Sequence, residues 1–277
     1  MPSGRNMQLL YCDESNLEER AGDFLIYGGL MVDAARARNL SIAIDQLREA
    51  QGVPRDYRFK FNPGPAGLSH QQFLSLKQAV LELATAHQVK LIIYVVLHDI
   101  ATNPDTARRN GINTVCFHFN AILNQFSSPG LVLIDRFTDA GNEIDGHLRD
   151  KFSVGVTGLP YAGEMRLGNI VGFHYSAIGQ SHFPSILDVA LGSLRFALNA
   201  HTRGTTEHLA TATALLRLLA PLFWRQRPAD LVPELGFQFS PKVIRAEHYR
   251  VRYERLKQFL TDAGIPTAQS ITDLRTY

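Results

Sequence analysis

Acidic side chains at three points in the chain have the types and settings to do chemistry together. LLYCDES, residues 9–15, puts Asp13, Glu14 and Ser15 where an apolar run stops. LVLID, residues 131–135, ends the same way in Asp135. SILDVALGS, residues 185–193, sets Asp188 among apolar neighbours, where an unpaired carboxylate is costly. Carboxylates from two strand ends and a helix can converge on a hard divalent cation, which takes oxygen ligands. Two such ions can stabilise both the attacking and the leaving oxygen of a phosphodiester. Each acid also has a plainer explanation. Asp13 suits a strand-end turn, Asp135 a turn or an ion pair with Arg136, and Asp188 a salt bridge to Arg195.

Further candidates surround these acids. Lys60, in YRFKF (57–61), projects away from Phe59 and Phe61 if the segment is extended. It could contact a phosphate, hold Asp13 in place or simply face solvent. Asp99 follows the apolar run LIIYVVL and is either a substitute ligand or a turn residue. His98 and His174 lie near strand ends, as a general base, a metal ligand or structural histidines. The tail 241–259 carries Lys242, Arg245, Arg250, Arg252, Arg255 and Lys257 with Tyr249 and Tyr253 interleaved. Arg250, Arg252 and Arg255 could track a phosphate backbone while the tyrosines stack on bases. The alternative is a solvated helix docked through Val243, Leu256 and Leu260. HEXXH, Walker A, GXSXG and paired CXXC motifs are absent, which argues against zinc proteases, P-loop ATPases, α/β hydrolases and zinc ribbons.

These residues need elements to position them. The chain has 277 residues, 45% hydrophobic and 19% charged, with a formal net charge of +2. That is enough to bury a full core, and the charge alone does not announce a nucleic-acid partner. Cys12 and Cys116 read as buried apolar residues, which fits a reducing, cytoplasmic compartment. No signal peptide is expected, and runs 91–97 and 208–224 are too short or interrupted to span a bilayer. Hydrophobic periodicity predicts strands at 8–13, 24–32, 57–61, 91–97 and 131–135, and a strand or extended loop at 170–176. It predicts helices at 34–51, 70–88 behind an Ser69 N-cap, about 105–126, 140–153, 183–200, 207–224 and 241–264. Gly28 and Gly29 inside the second strand mark a bulge or a close backbone approach. The class is α/β with a mixed sheet flanked by helices, in an order that also suits a ribonuclease H-like sheet.

With these motifs in place, the chain resembles the domain of unknown function 3800 (DUF3800) family. The resemblance rests on Asp13-Glu14-Ser15, Lys60 before Phe61, Asp135 at a strand end, and Leu187-Asp188 followed by Gly192. It spans roughly residues 8–200. It implies a ribonuclease H-like domain, expected over 1–201; the helical periodicity beyond the 201–206 hinge adds an expected helical extension over 202–277 packed on it. It further implies a magnesium- or manganese-dependent nuclease, a hydrolase acting on RNA or DNA. Asp13, Asp135 and Asp188 would then be metal ligands, and Lys60 would neutralise phosphate charge. Adjacent strand residues point to opposite faces, so Asp13 is expected as the direct ligand and Glu14 as a supporting residue. Two positions depart from the pattern. Arg58 stands where the family often has an acid, and Ser185 where it often has Gln. The first departure supports an alternative: a non-catalytic nucleic-acid- or protein-binding module with a degenerate site.

Overall fold

Continuous apolar runs build the centre of a six-stranded sheet. The computed structural model describes residues 6–18, 20–136, 146–149 and 167–274. Strands β1 (Gln8–Ser15), β2 (Phe24–Asp33) and β3 (Lys90–Leu97) lie side by side, and the apolar stretches of β2 and β3 are buried on both faces. Strands β4 (Gly130–Asp135) and β5 (Ile170–Ser176) extend the sheet beyond β1, and β6 (Phe237–Ser240) extends it beyond β3. The order is β5-β4-β1-β2-β3-β6. β2 pairs antiparallel with both neighbours, while β1–β4, β4–β5 and β3–β6 are parallel pairs. This is the expected ribonuclease H-like mixed sheet with one strand added at the β3 edge.

Helices cover both faces. One apolar layer packs α1 (Ala34–Ala50), α2 (His70–Ala86), α4 (His182–Thr202), α5 (Leu209–Leu219) and α6 (Glu247–Asp262) against Tyr11, Ile26, Ile93 and Val95. The other packs α3 (Pro104–Phe126) against Leu10, Cys12, Tyr27 and Ile92. The residues of β1 thus alternate between the two layers. Ser69 caps α2 in a capping box with Gln72, as its sequence predicts.

The two glycines of β2 are close approaches, one to each face. A Cβ at Gly28 would stand 2.5 Å from Leu191 of α4, and one at Gly29 would stand 2.9 Å from Val115 of α3. Gly28 is the register partner of Asp13. The space it leaves lets α4 settle onto the sheet beside that aspartate.

Several elements differ from the sequence reading. Residues 57–61 form no strand; side chains from α2 and α4 hold Phe61 in place, as described below. Strand β6 was not foreseen, because FQFS is short and lies among turn residues. Pro221 sits in a 3-10 turn that ends α5 early, and α6 begins only at Glu247. Of the helix expected at 140–153, residues 146–149 are helical and the remainder lies outside the described residues. Tyr253, expected to stack on bases, is wholly buried. Its hydroxyl accepts from Leu97 N–H at 2.8 Å and donates to the Ser240 carbonyl at 2.5 Å, tying α6 to the ends of β3 and β6. Residues 202–277 therefore supply a strand of the sheet as well as helices. Among the described residues no helix is long and apolar enough to cross a membrane.

Gly28→Ala should destabilise the protein by about 1–3 kcal/mol, because the added methyl must displace Leu191. Gly168→Ala, where a Cβ meets nothing within 4 Å, should stay within about 0.5 kcal/mol of wild type. Urea unfolding of both variants measures the contrast.

Candidate functional site

Asp13 and Asp135 reach the same face of the sheet from neighbouring strands. β1 and β4 are parallel and pair Cys12 with Ile134, so the two aspartates follow one step further along. By alternation both point with Tyr11 and Leu133 toward the layer that holds α4. Asp188 lies on α4, half-buried between fully buried neighbours. Burial raises the Asp13 pKa well above the usual carboxylate range, and Glu14, Asp135 and Asp188 raise it further. Burial also raises the pKa of Asp135, with Asp188 adding to it, while the Arg136 amide and Lys60 pull it down. Asp135 Oδ1 is buried and has no hydrogen-bond partner. The structure therefore brings Asp13, Asp135 and Asp188 into one electrostatic neighbourhood, with Lys60 beside it.

Glu14 points the other way. β1 continues to Ser15, so the strand has not ended at the acidic pair. Glu14 meets Arg108 of α3 at 3.1 Å. Burial raises its pKa, Arg108 opposes that shift, and Asp135 adds to it.

Asp188 holds the 57–61 segment. Its Oδ2 accepts the backbone N–H of Phe61 at 2.6 Å, which replaces the salt bridge to Arg195 that the sequence left open. The Phe61 ring fills the space over Gly192, where a Cβ would stand 2.3 Å from it. On the other side of the same residue, Lys77 Nζ donates to the Phe61 carbonyl at 3.3 Å. The Lys77 ammonium sits 4.2 Å from the Phe61 ring centroid and 4.5 Å from that of Phe73. Burial lowers the Lys77 pKa. This grip keeps Phe59 and Phe61 buried and Lys60 exposed between them, the alternation expected of YRFKF without a partner strand. Sequence reasoning missed Lys77. Its spacing from Phe73 and Ala84 on α2 carried the signal, since all three share the buried face.

The donor set is all carboxylate oxygen, which suits magnesium or manganese, and the unpartnered Asp135 Oδ1 suits a cation. The shell is not preformed: among the described residues no three His, Cys, Asp or Glu side chains are placed to hold one metal ion. Asp188 Oδ2 is committed to Phe61, and Asp13 Oδ1 accepts the Glu14 amide at 2.8 Å.

The other candidates lie elsewhere. Asp99 accepts the Gly22 amide at 2.6 Å and pairs with Arg252 at 3.3 Å, so it anchors a turn to α6. His98 Nε2 bonds the Asn16 carbonyl at 2.7 Å, and His174 is exposed on β5. Arg58 lies against Gly179, where a Cβ would stand 3.3 Å from its Nε. In the tail, Arg250 pairs with Asp273 at 3.1 Å and with Glu254 at 3.8 Å. Arg252 is held by Asp99, and Arg255 is exposed.

No family model matches the chain, and no curated protein matches it. Among solved structures, a point mutant of Bst-RNase HIII is similar, with a TM-score of 0.39 and 12% identity. The match covers 78% of this chain and 62% of that one, so the chain spans less than two thirds of that protein's length. The fold assignment stands on strand order and direction.

Asp13 binds its proton more tightly in the folded chain than an unfolded aspartate does. Stability should therefore fall as pH rises from the ordinary carboxylate range through the raised folded value. Asp13→Asn should lessen that fall, leaving the part due to Glu14 and Asp135, and raise the melting temperature at neutral pH in chelator. Thermal melts across pH check both points.

Proposed function

We propose that this protein is a metal-dependent nuclease that hydrolyses phosphodiester bonds in RNA or DNA. The observation that carries this reading is the meeting of Asp13, Asp135 and Asp188 on one face of the sheet, close enough for the other two to raise the Asp13 pKa. Like charges crowded in a half-buried place call for a cation. The motif order that resembles the DUF3800 family points the same way.

In this reading Asp13, Asp135 and Asp188 hold magnesium or manganese. The bound ion would lower the pKa of an attacking water and counter charge on the leaving oxygen. Lys60, exposed beside Asp135, neutralises a phosphate of the substrate. Glu14 acts from the opposite face through its pairing with Arg108, fixing the end of β1 that carries Asp13.

A second reading has its own observation. Asp188 is engaged by Phe61, and no three acids stand ready for one ion among the described residues. That arrangement suits a nucleic-acid- or protein-binding module that keeps a degenerate nuclease-like site.

Manganese calorimetry separates the two. The nuclease reading expects binding that Asp188→Asn abolishes while the fold, followed by circular dichroism, is kept. Unchanged manganese affinity in that variant removes Asp188 from the ligand set. In a magnesium-dependent cleavage assay Asp13→Ala should be inactive. Glu14→Ala should lose roughly ten- to a hundredfold, the size of effect seen when a residue supports a ligand. If the wild-type chain cleaves neither RNA nor DNA over a broad panel with either metal, the binding module is the correct reading.

A further inference from the structure

A cleft of about 970 Å³ opens between the end of α1, residues 52–59 and the start of α4. Arg58, Gly179, Ser181, His182 and Ser185 are among the residues that line it. Ser185 is only 5% exposed, and its hydroxyl has no hydrogen-bond partner among the described residues. It stands three residues before Asp188, so the two share one face of α4 about a turn apart. Ser181 gives α4 no side-chain cap, and Pro184 has no N–H to offer. The amides of His182 and Phe183 are thus the donors at the positive end of a 21-residue helix. Arg58 brings a guanidinium to the same wall, packed against Gly179.

The remaining charges of the cleft are mostly engaged or exposed. Asp45 is paired with His182 at 2.9 Å. Arg48 is spent on the carbonyls of Pro54 and Tyr57, at 3.0 and 2.8 Å. Glu49, Arg55 and Asp56 are exposed to solvent.

We infer that this cleft binds a phosphate of a nucleic-acid strand, through Arg58, the Ser185 hydroxyl and the first amides of α4. The inference rests on the nuclease reading for its placement: the phosphate bound here would neighbour the one that meets Asp188. An oxyanion suits a buried hydroxyl, uncapped amides and a planar guanidinium together, because each donates and none accepts charge.

The test is fluorescence anisotropy of a short labelled single-stranded oligonucleotide with the full chain in chelator, where the acidic cluster binds no metal. Arg58→Ala should weaken binding several-fold and lower the slope of log affinity against log salt by about 0.7, the loss of one single-strand phosphate contact. Ser185→Ala should weaken it less, and inorganic phosphate should compete with the wild type more effectively than with either variant. Equal affinity and equal salt slope in Arg58→Ala overturn the inference. Manganese calorimetry on the same proteins keeps the two claims apart. Arg58-dependent binding without manganese uptake would leave this subsite standing and remove the nuclease reading. Manganese uptake without Arg58-dependent binding would do the reverse.

Discussion

The close seating of α4 on the sheet over Gly28 is the constraint on which this end of the molecule depends. Leu191 occupies the space where a side chain of β2 would stand, and Gly28 is paired with Asp13. A larger residue there would lift the helix, and Asp188 with it. Gly192, one residue after Leu191, then admits the Phe61 ring from the other side. Small residues at two contacts therefore place the helix that carries Asp188 against an acidic strand end. Core packing decides the distance between charges that repel.

That repulsion is informative because an ordinary protein avoids it. Burial and then three acids raise the pKa of Asp13, while the nearby cations Lys60 and Arg108 act on Asp135 and Glu14. Two other buried or half-buried acids among the described residues do have cationic partners. Asp23 is buried against Arg203, and Asp99 is shared by Gly22 and Arg252. The carboxylates at the ends of β1 and β4 depart from this habit, and perturbed groups in a cluster are a mark of functional sites.

Much of this was legible in the sequence. The runs that became β1 to β4 are apolar enough to admit few other places, and of the two readings of the Gly-Gly pair, bulge or close approach, the structure shows the second. Asp188 stood out because its immediate neighbours are apolar, with Arg195 as the nearest partner the sequence offered. The backbone amide of Phe61 was hidden, since a hydrogen bond across 127 residues leaves no spacing to read. Strand β6 was hidden for a related reason: its four residues are fixed by β3 and by the side-chain amide of Gln269, which bonds both the N–H and the carbonyl of Phe239. The tail was legible in its helix and less so in its contacts. Basic residues interleaved with aromatics suggested a binding face, yet Tyr253 went to the core and Arg250 and Arg252 to carboxylates. Composition cannot separate those outcomes, because a long basic side chain serves an internal acid as readily as a phosphate.

The double grip on Phe61 ties Asp188 to the segment that carries Arg58 and Lys60. One end of this residue hangs on Asp188 and the other on Lys77 in α2. A ligand that draws Asp188 Oδ2 toward itself competes with the Phe61 amide and loosens the segment that carries Arg58 and Lys60. Thermodynamic reciprocity then requires that anything holding those two cations in place alters the affinity at Asp188 by the same factor. If the acidic cluster takes a cation and the Arg58–Lys60 segment a phosphate, as proposed, the two occupancies form a single coupled equilibrium, with the buried Lys77 on the far side of Phe61 as its counterweight.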